Sequence, residues 1–194
     1  FYPARDYNFN NILASHEFEH ERLAVLYRMM KNDSFTVVST PAAAFQLTMT
    51  PEKLAVRTIR LDRNSPIDTD ELAIRLNGAG YRRCDMVESC GQFALRGGIV
   101  DIYAPSMHPV RIELFGDEVD RMGYFSLESQ RFTGEETDSI EIPPTLEVIL
   151  GDEERRSLRE SVTRQISRVK GSAAEQTLRA ELDALENSQD VNFA

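Results

Sequence analysis

Apolar and polar residues alternate in short runs between residues 91 and 131, and glycines separate the runs. In the first run, Phe93 and Leu95 fall on one face of an extended chain. Ala94 and Arg96 fall on the other face. Because successive side chains of a β-strand point to opposite faces, this period of two predicts half-buried strands of an antiparallel sheet. Such a sheet can leave one face and one edge in water, which favours a protein-binding module over a catalytic pocket.

The later runs repeat this pattern and predict a meander of four strands. Their apolar positions are Val100, Ile102, Val110, Ile112 and Leu114, and a fourth run covers residues 119–125. Gly97 and Gly98 form a two-residue turn signal between the first two runs. Gly116 and Asp117 mark the turn between the third and fourth runs.

Helical signals flank the meander on both sides. Asp68, followed three residues later by Glu71, resembles a capping box and predicts a helix that packs on the meander. We expect that helix to end at Gly78 or Gly80. Downstream, two apolar stripes fall at helical spacing: Leu158, Val162, Ile166 and Val169, then Leu178, Leu182 and Leu185. A break at residues 171–172 separates them and predicts an antiparallel helix pair. A coiled coil with a partner is the alternative, but two or three heptads are too few to favour it.

Residues 1–62 combine helix and strand signals. Ser15 is placed to cap a helix with apolar residues at helical spacing, namely Phe18, Leu23, Leu26, Tyr27 and Met30. Residues 36–39 predict a short buried strand, Pro41 opens a second helix, and residues 55–61 predict another strand. Alternation of strand and helix predicts a parallel sheet, although this region has too few strands to complete one.

Together these signals predict an α+β fold. A small antiparallel β-meander domain with a packed helix is joined to an incomplete α/β region with a parallel sheet and to C-terminal helices. We place the domain boundaries at residues 1–63, 64–145 and 146–194.

Composition narrows the classes of function. With 41% apolar and 28% charged residues, the 194-residue chain is typical of a globular protein in solution. No apolar run approaches the length of a membrane span, and no signal-peptide pattern is present, so we expect a cytoplasmic protein without a membrane partner. The net charge of -10 opposes generic binding to DNA. Two cysteines, Cys84 and Cys90, imply no disulfide framework, and we expect reduced thiols.

One short motif suggests catalysis. His16, Glu17 and His20 form a literal H-E-x-x-H. On a helix, two histidines four residues apart face the same side and could hold zinc, with Glu17 as general base, which gives the hypothesis of a zinc-dependent hydrolase. However, the neighbouring positions are charged, and the remaining histidine, His108, lies in a proline-flanked loop. The sequence therefore favours a solvated helical turn, without a metal site or catalytic residues.

Three segments carry a family resemblance. They are NGAGYRRCDMVE at residues 77–88, GQFALRGGIVDIYAP at residues 91–105 and RIELFGDEVDRMGYFSLESQR at residues 111–131. With their glycines, charges and aromatic residues in register, they resemble the domain shared by the bacterial transcription-repair coupling factor (Mfd) and the excinuclease subunit UvrB. Weaker similarity extends over nearly the whole chain. The amino-acid sequence of the second segment resembles the coupling factors more than UvrB.

The resemblance implies a piece of the N-terminal UvrB-homology module of a coupling factor. Residues 1–63 would be a partial UvrB-like α/β domain, residues 64–145 a β-rich domain that binds UvrA, and residues 146–194 a helical return segment of the first domain. The family as a whole is an ATP-dependent DNA translocase that displaces stalled RNA polymerase and brings in nucleotide excision repair. Its motor motifs are absent from this sequence, so the resemblance implies a non-catalytic fragment without a cofactor. RNA polymerase and DNA would contact other parts of the parent protein.

The resemblance also implies which residues meet UvrA. Arg83 follows the glycine-tyrosine pair, and Arg96 precedes the double glycine, and both match arginines of the family's UvrA contact. Phe93 and Arg82 complete the candidate surface. At Ala94 this chain departs from UvrB, which has an arginine there, and Arg82 is the candidate to compensate.

Arginine suits such a surface because its planar guanidinium group forms a fork that matches carboxylates. Arginine is also enriched among the residues that dominate binding energy at protein interfaces. The alternative is that Arg83 and Arg96 pair within the chain with nearby carboxylates, namely Asp85, Glu88 or Asp101. Exposed pairs of this kind stabilise a fold by little.

Overall fold

The computed structural model describes residues 1–5, 16–32, 34–149, 151–171 and 173–187. Its helices are α1 (Glu17–Met30), α2 (Pro41–Ala44), α3 (Pro51–Arg57), α4 (Thr69–Gly78), α5 (Asp152–Arg168) and α6 (Ala173–Asn187). Its strands are β1 (Ile59–Asp62), β2 (Arg82–Arg83), β3 (Gln92–Arg96), β4 (Ile99–Tyr103), β5 (Val110–Phe115), β6 (Glu118–Phe125), β7 (Phe132–Glu136) and β8 (Ser139–Ile142). The chain divides into two compact units, residues 1–147 and a second unit that begins at Val148. The α+β class is confirmed.

The main sheet has six strands in the order β2-β3-β4-β5-β6-β7. Strands β3 to β6 are the four predicted strands, and each pairs antiparallel with the next. Both predicted turns are present, with Gly97 and Gly116 in the left-handed region at φ 59° and 64°. Side chains other than glycine rarely adopt this conformation, so these positions favour glycine. The pattern did not predict β7 at one edge or β2, which lies parallel to β3 at the other.

The hydrophobic core lies between the sheet and α4. Asp68 caps this helix, since its carboxylate accepts hydrogen bonds from the backbone N–H groups of Asp70 and Glu71 at 2.8 and 3.0 Å. The helix ends at Gly78, one of the two predicted positions. The buried apolar residues from α4 and the sheet are Leu72, Ala73, Leu76, Phe93, Val100, Ile102, Val110, Ile112, Val119 and Met122. The predicted packing of the meander on this helix is therefore confirmed.

The second face of the sheet is covered in part, and the prediction of a solvated face is wrong there. Val87, Ala94 and Phe125 form a second buried cluster. The segments at residues 84–90 and 126–131 supply this cover, because Cys84, Val87 and Leu127 lie against the sheet. Alternation identified the two faces but could not show that loops fold back over one of them. Neither cysteine forms a disulfide.

The N-terminal region departs most from the predicted pattern. Ser15 lies outside the described residues, and α1 begins at Glu17 with Leu23 fully buried and Phe18 51% exposed. Residues 36–39 form no buried strand: they are exposed, and a single parallel bridge joins Ser39 to Tyr2. Strands of a parallel sheet are buried where helices cover them, and the described residues do not cover this segment.

The next two elements confirm one prediction and correct another. Pro41 opens α2, as expected, after Thr40, whose hydroxyl accepts a hydrogen bond from the N–H of Ala43 at 3.2 Å. The strand predicted at residues 55–61 is wrong in its first half, because α3 extends to Arg57 and β1 begins only at Ile59. β1 pairs antiparallel with β8 in a separate two-stranded sheet. Pairing with a strand eighty residues away cannot be read from the local pattern.

A buried ion pair fixes the N-terminal segment to the end of the first unit. Arg22 on α1 is fully buried and binds both carboxylate oxygens of Glu147, at 2.7 and 2.9 Å. Its third nitrogen donates to the carbonyl oxygen of Pro3 at 2.8 Å. The hydroxyl of Thr48 also donates to Glu147. Arg22 and Thr48 therefore meet at the Glu147 carboxylate, and Pro3 is joined to them through Arg22.

The second unit contains α5 and α6, which pack against each other. A connection this short between packed helices gives the predicted antiparallel pair. Gly171 in the connection has φ 81°, and Ser172 lies outside the described residues. No helix in the described part of the chain is both long and apolar enough to cross a bilayer.

Candidate protein-binding site

The edge strand β2 presents two arginines. Its backbone is fixed to β3 by hydrogen bonds from Arg82 N to Gly91 O and from Cys84 N to Phe93 O, both 2.9 Å. Arg82 and Arg83 are both exposed. Among the described residues, the guanidinium group of Arg83 has no hydrogen-bond or ion-pair partner. An exposed cation on an open sheet edge is therefore available to a ligand.

Arg96 ends β3 just before the double-glycine turn, and its side chain remains 39% exposed. One terminal nitrogen, Nη2, donates to the carboxylate of Asp101. The other, Nη1, donates to the backbone carbonyl oxygen of Asp85 at 3.1 Å. Arg96 thus pairs within the chain, as the alternative interpretation allowed, and still has a solvent-accessible guanidinium group.

Asp101 is the centre of a charge cluster that the pattern did not identify. Its carboxylate is fully buried and accepts two hydrogen bonds from Arg111, at 2.6 and 2.8 Å. Hydrogen bonding to Asp101 raises the pKa of the Arg111 guanidinium above its ordinary value, so Arg111 stays charged. Two arginines, Arg111 and Arg96, therefore share one carboxylate. By the register of β2, Arg82 pairs with Gln92 and shares this face of the sheet, whereas Arg83 pairs with Phe93 and belongs to the opposite face at the sheet edge.

A signal for this cluster was present in the sequence. Asp101 pairs with Ala94 on one neighbouring strand and with Arg111 on the other, so all three share a face. Asp101 also interrupts a run of apolar residues, which marks it as a position that needs a partner. Finding that partner required the register between β4 and β5.

Residues 84–90, which cover the Ala94 face of the sheet, are held in place by two glutamine side chains. The Oε1 atom of Gln92 accepts hydrogen bonds from the N–H groups of Glu88 and Ser89 at 2.8 and 3.1 Å. From the other side, Nε2 of Gln130 donates to the carbonyl oxygen of Val87 at 3.0 Å. The segment exposes 43% of Met86, which lies next to the residue bonded by Arg96. The arginine surface therefore includes an apolar contact.

The remaining candidate residues have different environments. Phe93 is fully buried, so the prediction that it contacts a partner needs correction. Its ring packs in the main hydrophobic core instead. Its position in the apolar alternation already placed it on the core face. Ala94 is buried against Val87 and Phe125, which leaves no room there for an arginine side chain unless the covering segment moves. Arg82 is exposed and could add a cation at the strand edge.

The histidine pair offers no metal centre among the described residues. His16 Nδ1 lies 3.2 Å from Oε2 of Glu19, and this hydrogen bond raises the pKa of His16. Burial lowers the pKa of His20 to about 4, and a Cβ placed on Gly91 would lie 3.0 Å from its ring. His20 is half-buried, whereas His16, Glu17 and Phe18 are exposed, so the expected solvated turn is confirmed except at its last residues. In the part of the chain that the structure describes, no group of three or more His, Cys, Asp or Glu side chains could hold a metal ion, so the zinc-hydrolase hypothesis, with Glu17 as base, gains no support.

The thiols and one buried phenol show no activation. Burial raises the pKa of Cys84, and it raises the pKa of Cys90 to about 11. Both side chains are thus protonated at neutral pH and are poor nucleophiles. Burial also raises the pKa of Tyr81, whose hydroxyl donates to the carbonyl oxygen of Pro143 at 2.5 Å. These groups stabilise the fold, and the arginine surface is the strongest candidate site.

Comparison with known proteins points to one family. Residues 59–147 match a family model described as the UvrB interaction domain. The chain is 37% identical over 163 residues to the transcription-repair-coupling factor of Bacillus subtilis (strain 168), which covers 83% of this chain and 14% of that protein. The coupling factor of Myxococcus xanthus is 31% identical over 169 residues, which covers 85% of this chain and 14% of that protein. The one from Mycobacterium tuberculosis (strain CDC 1551 / Oshkosh) is 41% identical over 96 residues, or 49% of this chain and 8% of that protein. The chain therefore spans only a small part of the length of these relatives.

Proposed function

Because the chain belongs to the transcription-repair coupling factors, as part of their UvrB-homology module, we propose that it is a non-catalytic segment that recruits UvrA. In this proposal the whole protein is an ATP-dependent DNA translocase that displaces stalled RNA polymerase in the cytoplasm and brings in nucleotide excision repair. RNA polymerase and DNA are bound by parts of the protein outside this chain. The segment itself needs no cofactor.

The observation that carries the proposal is the arginine surface on β2 and β3. Arg83 lies opposite Phe93 in the parallel register, three residues before Arg96 along the neighbouring strand. With about 4.8 Å between strands and about 3.3 Å per residue, the two Cα atoms are roughly 11 Å apart. The register directs the two side chains toward opposite faces, so a partner that contacts both must bind at the open edge of the sheet, beside β2 and the end of β3.

Charge supports a protein partner over nucleic acid. The chain as a whole carries a net charge of -10, so a phosphate backbone is repelled except at a local patch. The arginine surface is such a patch, and Met86 adds an apolar contact beside it. Protein interfaces combine arginine with apolar side chains in this way, whereas generic DNA sites rely on many dispersed cations.

Charge reversal at both arginines tests the proposal. We expect Arg83→Glu with Arg96→Glu to weaken UvrA binding by at least about 100-fold, because both residues are candidate hot spots and the new carboxylates repel an acidic partner. Isothermal calorimetry with purified UvrA measures the loss. Circular dichroism checks that the double variant is folded.

The matched control is Arg75→Glu. Arg75 is exposed on α4, which packs on the core face of the sheet, and its substitution changes the net charge by half as much as the double variant. Binding should remain within about twofold of the wild-type value, as for surface substitutions away from an interface. Full UvrA affinity in the folded double variant would contradict the proposal.

A further inference from the structure

We propose that Asp101 and Arg111 are positioning residues that hold Arg96 in the orientation in which it meets a carboxylate of the partner. This inference rests on the proposed function and identifies what makes Arg96 effective. Arg96 lies at the surface, whereas Asp101 is fully buried and Arg111 is almost so. Neither buried residue can reach a partner directly.

The geometry shows that Asp101 does more than neutralise Arg111. The Nε and Nη2 atoms of Arg111 already bind both carboxylate oxygens, at 2.6 and 2.8 Å. That bidentate pair satisfies the buried charge on its own. Arg96 adds a second cation to the same carboxylate. Asp101 thus serves two cations, and Glu113 also interacts electrostatically with Arg111. Because Arg96 remains 39% exposed, a partner carboxylate can still approach it.

Arg96 is also fixed from a second direction. Its Nη1 atom donates to the carbonyl oxygen of Asp85, in the segment that covers the sheet. Arg111 is anchored by the opposite covering segment, since its Nη1 atom donates to the carbonyl oxygen of Gln130 at 3.0 Å. Each covering segment thus holds one of the two arginines that bind Asp101.

The register of the sheet explains how Arg96 reaches Asp101. Asp101 lies directly opposite Ala94, and Arg96 lies two residues further along β3. Diagonal cross-strand neighbours are about 7–8 Å apart, which a long side chain spans. The small side chain of Ala94 leaves that path open. Arg83, by contrast, has no partner of this kind among the described residues.

Positioning matters because ordering a long side chain costs free energy on binding. An exposed arginine loses side-chain rotamer entropy when it is immobilised at an interface. Arg96 is already ordered before the partner arrives, so this cost is reduced. The partner should therefore gain more from Arg96 than from an equally exposed but unheld arginine.

A double-mutant cycle tests the coupling. The buried-pair variant, Asp101→Asn with Arg111→Gln, replaces two charges with neutral hydrogen-bonding groups and leaves Arg96 in place. We expect Arg96→Gln alone to weaken UvrA binding about 10- to 30-fold, as for an interface hot spot. The buried-pair variant should lose nearly as much, and adding Arg96→Gln to it should change binding by less than about threefold. An equal effect of Arg96→Gln on both backgrounds would overturn the proposal.

A surface variant avoids any change to the buried pair. Arg96→Lys keeps the charge but replaces the planar fork with a single ammonium group, which cannot reproduce the two divergent hydrogen bonds to Asp101 and Asp85. We expect UvrA binding to fall about 5- to 10-fold, with an unchanged melting temperature. Wild-type affinity in this variant would show that charge alone suffices and would overturn the positioning role.

A partner-free measurement separates the two proposals. In the wild-type protein, the Nε–H group of Arg96 should give an ordered NMR signal, whereas that of Arg83 should be averaged by motion. In the buried-pair variant, the Arg96 signal should become like that of Arg83. An unchanged Arg96 signal would overturn the positioning role alone. Failure of the wild-type protein to bind UvrA would instead contradict the proposed function.

Discussion

At the scale of single residues, environment separates side chains that the sequence pattern treats alike. Arg83 and Arg96 both belong to the candidate surface, yet only Arg96 is tied to a buried carboxylate. His16 and His20 both belong to one short motif, yet one bonds to Glu19 and the other packs against Gly91. Charge, hydrogen bonding and burial therefore have to be evaluated for each residue in place.

The opposite environments of the two histidines predict a pH dependence. The pKa of His20 is about 4 in the folded chain, below its ordinary 6.5, mainly because burial disfavours the charged form. Between these values the unfolded state binds a proton that the folded state does not. The contribution of neutral His20 to the unfolding free energy is therefore complete above pH 6.5. It is lost as the pH falls toward 4, by up to about 1.4 kcal/mol per pH unit. The raised pKa of His16 acts in the opposite direction.

Urea unfolding at pH 7 and pH 5 measures this contribution. We expect the wild-type protein to lose more unfolding free energy over this interval than His20→Gln, by about 1–2 kcal/mol. His108→Gln, which removes a histidine from the loop before β5, is the control and should keep the wild-type dependence. Identical losses in wild type and His20→Gln would show that His20 titrates normally.

At the scale of elements, close backbone approach decides which strands can pair. β7 lies against β6 across Gly123, which pairs with Glu136. A Cβ placed on Gly123 would lie 2.6 Å from the Phe132 ring and closer still to the carbonyl oxygen of Glu135. Only glycine permits this approach, because no larger residue fits without displacing the edge strand.

Gly123→Ala should therefore destabilise the domain. We expect a loss of about 1–3 kcal/mol, as for overpacked sites, because a rigid backbone atom cannot move aside. Gly78→Ala is the matched control, since nothing lies within 4 Å of a Cβ at the end of α4, and it should be neutral or stabilising by up to about 1 kcal/mol. Chemical denaturation measures both. Equal stability of the two variants would contradict this account of β7.

At the scale of the whole molecule, the first unit is held together by contacts between distant segments. The clearest is the buried pair of Arg22 and Glu147, which are 125 positions apart. It connects α1 to the end of the region matched by the UvrB interaction domain. Surface pairs such as Lys31 with Glu141 bridge similar distances but remain in contact with water.

Removing the charge of Glu147 should have a large effect. Glu147→Gln leaves the buried guanidinium group of Arg22 without an anion, which costs about 3–5 kcal/mol of unfolding free energy. Glu141→Gln, which breaks a partly exposed pair with Lys31, should cost about 0–1 kcal/mol. Urea unfolding compares the two variants. A similar small cost in both would mean that the buried pair contributes little.

The family resemblance rested on residue identities in three segments, whereas the local pattern predicted the elements that those segments form. Alternation located β3 to β6, glycines located their turns, and Asp68 located the start of α4. The prediction of a buried strand at residues 36–39 was wrong. Apolar β-branched residues also occur in exposed extended chain where no neighbouring element covers them. The domain boundaries and the UvrA contacts stay predictions.

By itself the sequence determined the local elements and the two faces of each strand, because side-chain alternation, turn residues and helix caps act within a few positions of one another. Tertiary structure alone decided that β2 pairs parallel to β3, that two segments cover the second face, and that Asp101 serves both Arg96 and Arg111. These outcomes depend on the register between strands and on how loops fold back. Such contacts join residues far apart in the chain, and no local pattern encodes the distance between them.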